Sequence, residues 1–69
     1  IFTEMFGGTP SNISLTFFKK NYVEIISGVN LPMLIKASTI EKYESFEEAV
    51  KIISNSGQEN IIVAGDLNI

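Results

Sequence analysis

Two strand-to-helix junctions of the same build constrain this chain more than any other feature. The first runs from Ile1-Phe2-Thr3 into Gly7-Gly8-Thr9-Pro10, and the second from Tyr22-Val23-Glu24-Ile25-Ile26 through Ser27-Gly28 into Asn30-Leu31-Pro32. In each, an apolar stretch meets a glycine, then a residue that can cap a helix, then a proline. Glycine supplies the turn that leaves a strand, and a capping side chain with proline in the first helical turn starts a helix. A strand and helix followed by a second strand and helix, with short connections, read as crossover units of a parallel sheet.

The clearest helix is expected over residues 46–56. Ser45 followed by Glu48 is a capping box, and Phe46, Ala49, Val50 and Ile53 recur on one face. Glu47 and Lys51 form an i,i+4 pair on the solvated face, and Gly57 stands where a left-handed residue would end the helix. Asn30 caps a shorter helix carrying Pro32 in its first turn and Leu31, Leu34 and Ile35 on one side, fading before Ser38-Thr39. Residues 13–18 alternate as a strand would. Thr9 as N-cap, Pro10 at N1 and the four-residue spacing of Ile13 and Phe17 argue for helix instead.

Past Gly57, the run Ile61-Ile62-Val63-Ala64, closed by Gly65-Asp66, reads as a short buried strand. The expected order is strand, helix, strand, helix, helix, strand. The fold class is α/β, a parallel sheet flanked by helices that makes part of a three-layer sandwich. Three strands under one partial helical layer leave sheet uncovered, and parallel sheets are buried on both faces. At 69 residues and 45% apolar without cysteine, the chain is too apolar for a disordered segment and has no disulfide to compensate for a small core. It opens on Ile1 rather than Met. The expectation is a fragment of one larger domain, with no second domain and with the missing cover supplied by preceding sequence or another subunit.

Charge and composition narrow the chemistry. Eight acidic residues against five lysines give a net charge of −3, and the lysines are scattered, so no basic face for nucleic acid is expected. With no cysteine and no histidine in the chain, neither a zinc site nor Ser-His or Cys-His catalysis can be assembled from it alone. No metal or other cofactor is expected. No apolar run reaches the roughly 18 residues of a membrane span, and no signal peptide opens the chain. A soluble protein of a reducing compartment is the expectation.

The segment Glu4-Met5-Phe6-Gly7-Gly8-Thr9-Pro10-Ser11-Asn12 lies between a strand end and a helix start, the edge of an α/β sheet where ligands bind. Gly7 and Gly8 let backbone approach a ligand closely, helix N–H groups favour an anion such as phosphate, and the Thr9 hydroxyl can donate to a phosphoryl oxygen. The same residues also make a plain turn with a helix cap. The segment is neither a Walker A loop nor a dinucleotide fingerprint. Glu4 reads either as a solvated carboxylate or as one at the mouth of a site, orienting an imidazole or taking a proton. At the second junction, Gly28, Asn30 and Pro32 are explained by turn and cap alone, and a ligand role at the same sheet edge stands beside that reading. Residues 41–48 are acidic but interrupted by Tyr43 and Phe46, a helix-start surface rather than an acidic tail.

Met5-Phe6-Gly7-Gly8-Thr9-Pro10-Ser11-Asn12 and Gly28-Val29-Asn30-Leu31-Pro32-Met33-Leu34, in this order and spacing, resemble the paired signatures of the IIA component of the mannose/fructose/sorbose-type sugar phosphotransferase system. The likeness covers nearly the whole chain, as its C-terminal half of the domain. The resemblance implies a cytoplasmic phosphocarrier on a parallel sheet flanked by helices. In that family a histidine ending the first strand takes a phosphoryl group from HPr and passes it to a IIB domain serving a membrane sugar permease. It further implies a homodimer, and association with a permease complex without insertion into the membrane. By match of position, Glu4 stands where the family has an acidic residue bonded to the active histidine, and Thr9 where it has a hydroxyl near the phosphoryl group. Gly7, Gly8, Pro10 and Asn12 form the loop between. The family usually has Asp where this chain has Glu4, and the phospho-accepting histidine belongs to a part of the family domain absent from these 69 residues. Two further readings accompany it: a non-catalytic regulatory or interaction module on the same fold, and the related phosphotransfer subunit that feeds dihydroxyacetone kinase.

Overall fold

The computed structural model describes residues 1–67. Along the chain run β1 (Phe2–Thr3), α1 (Thr9–Leu15), β2 (Ile26–Ser27), α2 (Leu31–Thr39) and α3 (Phe46–Glu59), followed by a 3-10 turn at Ala64–Asp66. β1 and β2 pair in parallel, Phe2 opposite Ile26 and Thr3 opposite Ser27. Backbone bonds prolong the pairing at both ends. The Ile1 nitrogen donates to Glu24 O at 2.8 Å, Ile26 N donates to Ile1 O at 2.9 Å, and Val29 N donates to Thr3 O at 3.1 Å. The result is a small α/β unit with its two strands in the expected parallel order.

The second strand is shorter than the apolar run at residues 22–26 predicts. Asn21 adopts φ +69°, and Lys19 and Val23 exchange backbone bonds of 2.9 and 2.8 Å in an antiparallel bridge. Asparagine tolerates this left-handed conformation better than most residues. The chain therefore reverses direction through residues 19–23, the Lys19 ammonium lying 5.1 Å from the Tyr22 ring centroid, and joins β1 only from Glu24 onward.

At the start of α1 the N-cap is Gly8, with φ −73° and ψ 166°; Thr9, expected as the cap, is instead the first helical residue and Pro10 the second, so the helix starts one residue earlier than expected. Residues 13–18 are not a strand. α1 ends at Leu15, and the chain continues in i→i+3 bonds from Thr16, Phe17 and Phe18 to Ile13, Ser14 and Leu15. α2 does not fade before Ser38-Thr39 but includes both, and their hydroxyls turn back to donate to Ile35 O at 2.9 Å. Of the three helix caps inferred from sequence, Thr9 is not one, but Asn30 and Ser45 are. Asn30 Oδ1 accepts from Met33 N at 3.2 Å and Ser45 Oγ accepts from Glu48 N at 3.1 Å. The Glu48 carboxylate reaches back to Glu44 N rather than to the cap residue, a capping box displaced by one position.

Two expectations at the end of the chain are overturned. Gly57 is not a left-handed terminator but a buried residue within α3, which runs on to Glu59. Residues 61–64 form no strand, and Ile61, Ile62 and Val63 are 69%, 63% and 60% exposed. A strand exists through its ladder, and among the described residues none lies alongside this run to accept one.

The core is small and lies in two places. Met33 of α2, 4% exposed, packs against Gly57 of α3. At the ends of the strands, Thr3 and Ser11 are buried polar residues, Ser11 completely. With principal extents of 45 × 31 × 15 Å the molecule is thin, and large apolar side chains such as Phe6, Tyr22 and Leu31 stand in solvent.

Candidate functional site

Because β1 and β2 are parallel, their C-terminal ends share one edge of the sheet, and both glycine junctions start there. The first junction is a compact turn. Gly8 N donates to Met5 O at 3.3 Å, and Gly7 adopts φ +88°, a region costly for any residue with a Cβ. Asn12 N donates to Gly8 O at 2.9 Å, the bond that opens α1. From the next turn of the helix, Asn12 Nδ2 reaches back to Gly7 O at 3.4 Å. Asn12 is thus a clasp on the glycine turn.

A cavity of about 410 Å³ opens against this turn, lined by Phe2, Thr3, Glu4, Met5, Gly8 and Pro10. Three of the residues singled out in the sequence, Glu4, Gly8 and Pro10, therefore meet at one concave surface. Glu4 is exposed, its carboxylate open to solvent and to any group that docks there. Thr9 is exposed at the first position of α1 but is not part of that lining. The first N–H groups of any helix lack acceptors within it, so the Thr9 hydroxyl stands beside backbone donors at this end of α1.

The second junction is organised differently. Gly28 turns with φ +80°. Asn30 uses both ends of its amide, capping α2 through Oδ1 and donating from Nδ2 to Gly57 O at 3.0 Å. Pro32 O accepts from Ser56 Oγ at 3.5 Å. A cleft of about 100 Å³ beside these residues includes Gly28, Asn30, Met33 and Gly57 in its lining, but not Glu4 or Thr9. The observed contacts of Asn30 and Pro32 join α2 to α3.

Three hydroxyl residues to which the sequence assigned no role of their own connect the two junctions. Thr3 Oγ1 and Ser27 Oγ are 2.8 Å apart across the strands, and Ser11 Oγ of α1 lies 3.4 Å from Ser27 Oγ. A signal was present, since Thr3 and Ser27 close their strands in the same register, immediately before Glu4 and Gly28. Nothing local, however, connects Ser11 to either.

Among known proteins, a family model described as the PTS system fructose IIA component, EIIA-man, matches residues 1–54, a span containing both junctions and most of α3. No curated protein and no solved structure gives a significant match.

Proposed function

The chain belongs to the IIA component family of the sugar phosphotransferase system, and on that premise we propose that it is the C-terminal half of a single phosphocarrier domain. The family takes part in sugar phosphotransfer. The finer reading is that the intact protein accepts a phosphoryl group from HPr on a histidine outside this segment and delivers it to a IIB domain. The observation that carries it is the convergence of Glu4, Gly8 and Pro10 on one cavity at the sheet edge, inside the matched span.

The chemistry asks for little from this segment, but asks it in a fixed geometry. An imidazole nitrogen of the acceptor attacks phosphorus as the phosphorus–nitrogen bond to the donor histidine breaks, and the reverse exchange passes the group to IIB. The acceptor must present a lone pair from one nitrogen while its other nitrogen keeps a proton, a tautomer set by the hydrogen bond that the second nitrogen makes. In this reading Glu4 accepts that bond and favours the imidazolium character that develops during attack. Glu4 is exposed in the turn, and its extra methylene relative to aspartate requires the turn to adjust for the carboxylate to reach that nitrogen. Thr9 donates to a phosphoryl oxygen, and the uncrowded glycine backbone admits the transferring group closely.

The protein partners, HPr and IIB, and the dimeric and cytoplasmic state of the whole protein belong to the same proposal. Among the described residues no helix is long and apolar enough to cross a membrane. The experiment is phosphoryl transfer from phosphorylated HPr to the intact protein carrying Glu4→Gln or Thr9→Ala. Both substitutions lower the transfer rate in this reading, and an unchanged rate in both removes the site assignment.

A further inference from the structure

Resting on the phosphocarrier reading, we infer that Ser27 is a positioning residue, whose hydroxyl ties the ends of β1 and β2 to α1 and holds the Glu4 and Gly8 sides of the turn in register for transfer. The two signature junctions are far apart in sequence, yet phosphoryl transfer depends on the first one alone in any reading confined to Glu4 and Thr9. The hydroxyl bridge gives the second junction a direct hold on the first.

The geometry is specific. Thr3 immediately precedes Glu4, and its side chain is buried, so the direction in which the chain leaves β1 depends on what Thr3 bonds. Its Oγ1 meets Ser27 Oγ at 2.8 Å. Ser11 follows Thr9 and Pro10 in the first turn of α1, is fully buried, and has Ser27 Oγ at 3.4 Å. One hydroxyl on β2 therefore contacts the residue before Glu4 and a residue one turn into the helix that Gly8 caps. A hydroxyl both donates and accepts, so Ser27 can serve the two neighbours at once; no apolar side chain of its size can. Buried polar atoms without partners are avoided, and removal of the Ser27 hydroxyl deprives Thr3 and Ser11 of this shared contact. Glu4 sits on one side of the turn and Gly8 on the other, so the bridge acts on the distance between carboxylate and helix start rather than on docking of a partner protein.

The test uses the intact protein and phosphorylated HPr as the donor, with kcat and KM measured for wild type, Ser27→Ala, Thr3→Val and Thr3→Ser. Thr3→Val keeps the shape of the side chain and removes the hydroxyl, while Thr3→Ser keeps the hydroxyl. Misplacement of reacting groups by about 1 Å costs on the order of a hundredfold in rate. The expected result is a kcat reduced roughly ten- to a hundredfold in Ser27→Ala and Thr3→Val, KM for the donor within about twofold of wild type, and Thr3→Ser close to wild type. Wild-type kcat in Ser27→Ala, or equal impairment by Thr3→Val and Thr3→Ser, overturns the bridge and leaves the phosphocarrier reading standing. Should Ser27→Ala lose its far-ultraviolet circular dichroism, the Thr3 pair carries the decision. A wild-type protein that takes no phosphoryl group overturns the phosphocarrier reading and this inference with it.

Discussion

Gly57 lies so close to Met33 that a Cβ added to it would stand 2.5 Å from Met33 Cγ and 2.6 Å from Sδ. Met33 is the buried apolar residue between α2 and α3, so the missing methyl group is what lets the two helices approach. Gly57→Ala gains about 1 kcal/mol of helix propensity but meets an overpacking cost of about 2–3 kcal/mol, near the upper end of the usual range. A net loss of about 1–2 kcal/mol in denaturant unfolding of the intact protein is expected. Equal or greater stability in the alanine variant would contradict this packing.

Asn30 joins the same helices by hydrogen bonds, at 3.2 Å to Met33 N and 3.0 Å to Gly57 O. Asn30→Ala removes a helix cap and an interhelical bond together, and a destabilisation of about 1–2 kcal/mol is expected from the cap alone. Amide hydrogen exchange checks the mechanism. Protection should fall in the first turn of α2 and around Gly57, and loss confined to α2 would mean that the bond to α3 contributes nothing.

The two glycines of the first junction should respond differently. Gly7 has φ +88°, whereas Gly8 has φ −73° and room for a Cβ at ordinary contact distances, 3.5 Å from Met5 O. Gly7→Ala is expected to cost about 1–2 kcal/mol and Gly8→Ala less, since alanine in the extended region is unstrained and only caps less well. Thermal unfolding of the two variants side by side orders them, and a more harmful Gly8→Ala would contradict the turn geometry.

Ser45 and Lys51 separate a local bond that matters from one that does not. Ser45→Ala loses the bond to Glu48 N and should cost about 1 kcal/mol. Lys51→Ala breaks a 3.8 Å ion pair with Glu47 whose side chains are 72% and 74% exposed, and should change unfolding by no more than roughly 0.5 kcal/mol. The reverse ranking would place the stability of α3 in its surface charges.

These residues also mark what could be read from sequence. Asn30, Ser45 and the parallel order of the two strands were legible because caps and strand-to-helix turns are local signals, repeated within a few residues. Gly57 was misread for the opposite reason. Its local meaning is a helix terminator, but the constraint on it comes from Met33, 24 positions earlier. Residues 61–64 have the composition of a buried strand, and composition cannot supply a neighbouring ladder. At the candidate site, Glu4, Gly8 and Pro10 were recognisable as a strand-to-helix turn, whereas the link among Thr3, Ser11 and Ser27 exists only once β2 has paired with β1.

The most direct measurement is whether the intact protein, incubated with phosphorylated HPr, acquires an acid-labile phosphoryl group on histidine. The predicted result is phosphohistidine in the wild type and much slower uptake in Glu4→Gln. A folded wild-type protein that acquires no phosphoryl group, while HPr remains competent toward another acceptor, would contradict the phosphocarrier assignment.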